Sequence, residues 1–525
     1  MNLSRKEYLF LVFILCVSFL LNITNNLYQL SGDERASLST AAGAGITMNR
    51  FEGSSSFRYT QAAPLEKKFF TQHDYRQRNT AKNVIRSAIN FDSGNMIAYH
   101  LLLHGWFNFI GISIFKARLL SAIFALLTVL FTFLLVKQLT GNLYVAFITS
   151  IILSIHPLLL HYAHMARGYA ASLCFSMASA YLLVTIVSND FSFRKKLFVY
   201  LGLALLAALA ILSHYLSAAV FLFMAFWLII RKNFFREHLV PASLAFLVTL
   251  FIIFLWMKNG GFEGLQEMKK IDEWYLKNTS AQVHTSARSL TEGTVQQLLA
   301  IFGNYGQYLG FRLRSFAFLL IFPLTAIALG LNQLKNTDEK KSIPFLTGAV
   351  IFIIGFSALL AIKSGHTTSF NARYGIYAIP FACALLAFAL QSVLSGSLSK
   401  IKKIITGFSL AATFIIFIFS TIPAYTGIAS TYHSDPQLHK DVLNFNLQKH
   451  YSNGGYEPIA KKIETMYSPG DTVIYNDWNT AQVVNLFLQD NDENIVQKVV
   501  PGAEKNIFIY ESASGTFKEI SEAEK

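Results

Sequence analysis

The feature that most constrains this chain is a succession of apolar blocks, each near the twenty residues that a helix needs to cross the hydrocarbon layer of a bilayer. The first lies at residues 8–21, beyond which the apolar stretch runs on, and others follow at 117–136, 143–160, 170–187, 197–213, 215–230, 239–257, 316–334, 343–362, 374–394 and 404–425. Backbone in lipid must satisfy its own hydrogen bonds, so blocks of this length are expected to be helices. The expected fold class is therefore an all-α polytopic membrane protein with about 11 transmembrane helices. Arg5 and Lys6 precede the first block and no small-residue cleavage site follows it, so it reads as an uncleaved span.

Cations alternate between the blocks. Arg5 and Lys6, then Lys137, then Arg194, Lys195 and Lys196, then Arg231, Lys232 and Arg236, then Lys335, Lys340 and Lys341, then Lys400, Lys402 and Lys403 all fall on one side. That side is expected to be cytoplasmic, with the chain in the inner (plasma) membrane and its N-terminus inside. The opposite side receives the first outer loop at 27–116, the turn at 161–169, the apex at His214, the loop at 258–315, the turn at 363–373 and the tail. The apolar segment 97–110 is too short for a crossing and carries Tyr99, His100, His104 and Trp106, so it reads as an interfacial helix. Segment 79–90, with Lys82 and Arg86, reads as a second one.

The formal charge of +14 is uneven: from Gly427 onward eight Lys face six Asp and eight Glu, so the tail carries −6 and the rest +20. Basicity belongs to the membrane part, which points to phosphate-bearing lipids as partners and away from nucleic acid. Residues 1–425 are read as the transmembrane domain and 426–525 as a small extracytoplasmic α/β module. Its strands are expected at 472–475 and 506–510, its helices at 458–466 and 480–488, with Asp477 and Trp478 in capping or packing roles. The three cysteines, Cys16, Cys174 and Cys383, all sit in apolar blocks, which excludes a disulfide framework.

The polar residues of interest share the outer side. Asp33 and Glu34 stand where the first span meets water, a place that holds a carboxylate charged yet partly desolvated; they equally suit the first turn of a helix. Arg167 and Tyr169, in the turn that also carries His161 and His164, offer a guanidinium that can grip a lipid phosphate, or simply snorkel to headgroups. Arg373 and Tyr374 repeat the pair before another span. Asp92 is a further carboxylate or a helix cap, and His214 a further site residue or a histidine satisfied at a helix end. No block carries an acid or a lysine in its middle third, and there is no Gly-rich phosphate loop, which argues against ion-coupled or ATP-driven transport.

The order of these features resembles the C-type membrane glycosyltransferases, and within them the protein O-mannosyltransferase and lipid A aminoarabinose transferase group. The likeness rests on the acidic pair after the first span, the Asp-led interfacial helix and Phe115-Lys116-Ala117-Arg118-Leu119-Leu120-Ser121-Ala122 at the second span. It continues in His156-Pro157, in Ala166-Arg167-Gly168-Tyr169, and in Ala372-Arg373-Tyr374 with Pro380. It covers about residues 5–190 and, locally, 370–385. Two departures stand out: Met165 replaces an acid common in relatives, and the stretch after Phe91 lacks their double proline.

What the resemblance implies is transfer of a sugar from a polyprenyl-phosphate donor to a lipid, glycan or protein acceptor at the extracytoplasmic face, with inversion. Asp33 is the expected base, with Glu34 as the second catalytic carboxylate, binding the acceptor or supporting Asp33. Arg167 and Arg373 are the expected phosphate clamps, with Tyr169 orienting the phosphate and Asp92, His214 and Tyr374 as additional site residues. Lys67, Lys68, Arg76 and Arg78 read first as a solvated loop, with attraction of anionic lipid toward the site as the alternative. The departures leave a divalent metal and the acceptor open. A lipid-linked oligosaccharide ligase or polymerase, and a non-enzymatic lipid transporter, remain the alternatives.

Overall fold

A computed structural model describes residues 4–23, 32–43, 80–91, 95–231, 234–266, 287–303, 318–332, 337–364, 372–395, 398–426, 456–467, 472–475, 484, 496–499, 508–511 and 516–519. In chain order the helices are α1 (Arg5–Ile23), α2 (Gly32–Ala41), α3 (Ala81–Phe91), α4 (Ile97–Ile110), α5 (Ile114–Thr140), α6 (Leu143–Ser154), α7 (Pro157–Ala163), α8 (Tyr169–Ser188) and α9 (Phe193–Ser213). After a 3-10 turn at Tyr215–Ser217 come α10 (Ala218–Ile229), α11 (Leu239–Trp256), α12 (Ala287–Ile301), α13 (Ile321–Leu331) and α14 (Thr337–Ser364). A 3-10 helix at Ala372–Ala378 leads into α15 (Ile379–Leu394), followed by α16 (Lys400–Thr426) and α17 (Tyr456–Met466).

Over their described residues the apolar blocks are mainly helical. Among the described residues eight helical stretches are long and apolar enough to cross a membrane, and α6 with α7 makes a ninth, bent by 58°. Two shorter apolar stretches, Tyr215–Ile229 and Phe318–Leu331, coincide with the remaining blocks. The chain is a multi-pass membrane protein. The apolar block at 143–160 bends within its length: Pro157 cannot donate into a helical ladder, and His156 before it is extended (φ −68°, ψ 123°).

The helices fall into two compact units. One comprises residues 1–25, 121–254 and 282–434, the other residues 26–120, 255–281 and 435–525. In the first unit, α15 is the centre: residues 375–389 are all buried, with α6, α13, α14 and α16 packed around it. Its alanines let these neighbours come close, as does Gly330 of α13, where a Cβ would stand 2.6 Å from Ala389 Cα. Gly303, at φ +84°, ends the turn after α12 where a Cβ would overlap the Phe417 ring at 2.0 Å. α1 lies at the margin: Leu11, Ile14, Ser18 and Asn22 form one buried stripe at helical spacing, while Leu9, Phe13 and Leu20 are exposed. Large exposed apolar side chains also line α11 and α16, as expected of helix faces solvated by lipid tails.

In the second unit α2, α3 and α4 pack together. α4 is 14 residues, so at 1.5 Å per residue it spans about 21 Å, short of a hydrocarbon core. α3 buries Val84 and Ala88 and exposes Lys82 and Arg86, each pair one turn apart, so opposite faces meet protein and solvent. The tail holds α17 and four strands, β1 (Thr472–Tyr475), β2 (Val496–Val499), β3 (Phe508–Glu511) and β4 (Thr516–Glu519), in the order β2-β1-β3-β4. β1 and β2 are parallel; β3 runs antiparallel to both β1 and β4. The helix expected at 480–488 lies outside the described residues apart from Val484, as do Asp477, Trp478 and the basic residues at 67, 68, 76 and 78.

Candidate active site

Glu34 lies in the first turn of α2, where a carboxylate is favoured by the helix dipole. It is buried, and both of its oxygens are engaged by a fully buried Arg118 at the start of α5: Arg118 Nε donates to Oε1 at 2.8 Å and Nη2 to Oε2 at 3.0 Å. This fork-to-fork geometry is the strong form of the Arg–carboxylate pair. The other end of α2 is held by His104 of α4. The Ala41 carbonyl can only accept, so Nδ1–H donates to it at 2.9 Å, and Nε2 then accepts from the Asn108 amide at 3.4 Å. Burial holds the His104 pKa below the usual 6.5. α2 is therefore pinned at its first turn and at its last carbonyls. Asp33 belongs to the pinned first turn; its side chain, like that of Arg373 and the whole of Asp92, lies outside the described residues.

The first unit holds Arg167, Tyr169, His214 and Tyr374. Arg167 occupies the turn between α7 and α8 and is only 5% exposed. That turn is oriented from below by the break in the preceding helix pair. His156 Nδ1 accepts from Leu158 N at 3.2 Å, so Nε2 carries the proton and donates to the Ile301 carbonyl at 3.1 Å. The Phe417 ring meets His156 edge-on at 5.2 Å, and the Thr421 hydroxyl shares its one proton between the Ile155 carbonyl at 3.0 Å and the Phe417 carbonyl of its own helix at 2.8 Å. His164, at the end of α7, donates from Nε2 to the Leu21 carbonyl at 3.0 Å.

His214 is the hub of the aromatic cluster. It sits extended (φ −166°, ψ 115°) between α9 and the 3-10 turn, which frees its ring to enter the bundle. The Tyr169 ring lies 4.7 Å away, Tyr374 6.0 Å and Tyr377 5.9 Å, the last two roughly parallel to the imidazole. The 3-10 form of residues 372–378 brings Tyr374 and Tyr377 to one face, because at three residues per turn i and i+3 eclipse. Gly375 lets this helix approach α12, where a Cβ would stand 3.1 Å from Ile301 Cγ1. The Tyr377 hydroxyl is 2.8 Å from His214 Nδ1 and 3.0 Å from Ser172 Oγ, and Ser172 gives its own proton to the Ala210 carbonyl at 2.8 Å. Tyr377 has one proton for two acceptors, so its choice sets the imidazole tautomer: if it donates to Ser172, His214 Nδ1 must carry hydrogen.

Sequence reasoning selected Tyr169, His214 and Tyr374, which the fold gathers into one cluster. It missed Tyr377, Ser172, Arg118 and His104. The i, i+3 spacing of Tyr374 and Tyr377 was the available signal for the first, once a 3-10 helix is allowed there. Arg118 and Glu34 are 84 positions apart, so nothing local reveals their pairing. Among the described residues, no group of three or more His, Cys, Asp or Glu is placed to hold a metal ion.

Comparison with known proteins places this geometry in context. Residues 96–257 match the family model of the dolichyl-phosphate-mannose-protein mannosyltransferases. No curated protein sequence matches the chain. ArnT from Cupriavidus metallidurans bound to undecaprenyl phosphate is a structural relative at TM-score 0.52 and 13% identity, covering 95% of this chain and 87% of that one. The same protein in its apo state gives 0.51 and 12%, covering 93% and 85%. The Archaeoglobus fulgidus oligosaccharyltransferase, solved with Zn and sulfate, gives 0.48 and 12% over 87% of this chain, and this chain spans 56% of its length. The chain is a multi-pass membrane protein with the fold of the C-type glycosyltransferases, and over residues 96–257 it resembles their protein mannosyltransferase branch.

Proposed function

We propose that the chain is a glycosyltransferase that moves a sugar from a polyprenyl-monophosphate donor to an acceptor hydroxyl at the extracytoplasmic face of the membrane. The observation that carries this reading is the buried Arg167 in a turn followed by Tyr169, whose ring joins the His214 cluster. A guanidinium so nearly withdrawn from solvent is suited to an anion such as a phosphate, and the family matched by residues 96–257 is named for a polyprenyl-phosphate sugar.

In the proposed reaction Asp33 takes the proton from the acceptor hydroxyl as its oxygen forms a bond to the anomeric carbon. The bond from that carbon to the phosphate oxygen breaks, and polyprenyl phosphate leaves with the electron pair. One displacement inverts the anomeric centre. Arg167 and Arg373 stabilise the charge that builds on the phosphate, and Tyr169 orients it. Glu34, with both oxygens on Arg118, acts as a positioning residue that fixes the turn of α2 bearing Asp33. No step passes through a metal.

The test is release of polyprenyl phosphate from a panel of polyprenyl-phosphate hexoses and pentoses, beginning with mannose, by purified protein supplied with a native-membrane extract as acceptor. Asp33→Asn is expected to lower turnover by more than about 100-fold. Activity within a few-fold of the parent removes the base assignment. Use of a diphosphate-linked glycan in place of every monophosphate donor points instead to an oligosaccharide ligase.

A further inference from the structure

Gln297 plays no part in the chemistry above and is the most conspicuous polar side chain left over. It lies near the end of α12, it is 0% exposed, and neither Oε1 nor Nε2 has a hydrogen-bond partner among the described residues. Burying a carboxamide with both ends unmet is costly, and native structures tolerate it chiefly where a ligand or an ordered water completes the bonds. The place is informative. α12 packs on the 3-10 helix that carries Tyr374 and Tyr377, and the Gln297 main-chain oxygen lies 3.5 Å from where a Cβ on Gly375 would stand. Two more buried hydroxyls without a partner among the described residues, Ser213 and Ser217, flank His214, whose ring meets the same two tyrosines.

We infer that Gln297 is a specificity-determining residue that reads the sugar of the donor, its carboxamide donating to one polar group of the glycosyl unit and accepting from another. The atoms left unmet select the ligand. Nε2 needs an acceptor and Oε1 needs a donor. A phosphodiester supplies acceptors alone, and a polyprenyl chain supplies neither. Sugar hydroxyls supply both, within the reach of one carboxamide. The inference rests on the proposed transfer from a polyprenyl-phosphate sugar and adds which part of the donor this residue recognises.

The experiment uses the full-length protein in detergent with Gln297→Met, which keeps the volume and removes both polar atoms, and Gln297→Glu, which keeps the acceptor and removes the amide donor. The measurements are kcat/KM with the polyprenyl-phosphate sugar that the parent uses, inhibition by sugar-free undecaprenyl phosphate, and the thermal midpoint. The expected result is a fall in kcat/KM of about 10- to 100-fold for both variants, an inhibition constant for undecaprenyl phosphate within about twofold of the parent, and a midpoint for Gln297→Met equal to or above the parent's. Three results overturn the inference with the parent active: unchanged kcat/KM, an inhibition constant that rises in parallel with the loss, or a midpoint that falls with it, which marks an amide satisfied internally by water. A parent that transfers no sugar from any donor takes down the glycosyltransferase reading itself, and this inference with it.

Discussion

Replacing Glu34 by glutamine should destabilise the protein by about 3–5 kcal/mol, because it removes the charged partner that a fully buried guanidinium grips with two hydrogen bonds. The substitution is nearly isosteric, so packing changes little and the cost is electrostatic. The double variant Glu34→Leu with Arg118→Met removes both charges and should recover most of the loss, since a buried pair often stands near break-even with apolar side chains of similar size. A loss of 3–5 kcal/mol is roughly two to three and a half orders of magnitude in the unfolding equilibrium. The assay is denaturant unfolding in detergent near neutral pH, run as a double-mutant cycle. A Glu34→Gln variant within about 0.5 kcal/mol of the parent, or a double variant no more stable than the worse single, refutes the claim that this pair anchors α2. Recovered stability should not recover turnover if the pair positions Asp33 through the geometry of the helix turn.

Two further perturbations address the His104 contact and the tyrosine cluster. The His104 pKa is lowered by burial, so the unfolded chain binds a proton more readily than the folded one; stability should be full above about pH 6.5 and decline as pH falls from there toward the folded-state pKa. His104→Gln should flatten that decline in a pH series of thermal midpoints, and an unchanged slope would assign it to other groups. Tyr377→Phe removes the hydroxyl that joins His214 to Ser172, and should cost about 1 kcal/mol of stability while changing the pH dependence of kcat/KM by releasing the imidazole tautomer. A pH profile superimposable on the parent's would reduce Tyr377 to packing.

The membrane part was legible because its signal is an average over twenty residues, which survives errors at any one of them. Helix α4 has the bounds read from hydropathy, 97–110, and ends where Gly111 follows it. The break at His156 was visible only as a Pro inside a continuous apolar block, and hydropathy does not register a change of direction. In the tail, β1 and most of β3 were read from runs of Val, Ile, Phe and Tyr, whereas β2 and β4 escaped because they are the outer strands of the sheet and alternate with Lys, Gln and Glu, as unpaired edges do. Members of the tyrosine–histidine cluster were legible where one position carries unusual chemistry for its surroundings, as at His214 between two apolar helices. Pairings such as Glu34 with Arg118 depend on tertiary closure across 84 positions and leave no periodic trace.

The bend between α6 and α7 makes the arginine turn a lever with a remote pivot. At the pivot the amide of Leu158 and the carbonyl of Ile155 are met by His156 and Thr421, and the histidine is tied in turn to Ile301. His156 is fully buried, so losing its bonds would leave polar groups unmet, which ties the angle of the bend to the positions of α12 and α16. With only the seven residues of α7 between pivot and turn, substitutions around residues 301 or 421 would swing Arg167 while leaving its own neighbourhood untouched. Natural variation in what such a turn grips could therefore arise far from it along the chain.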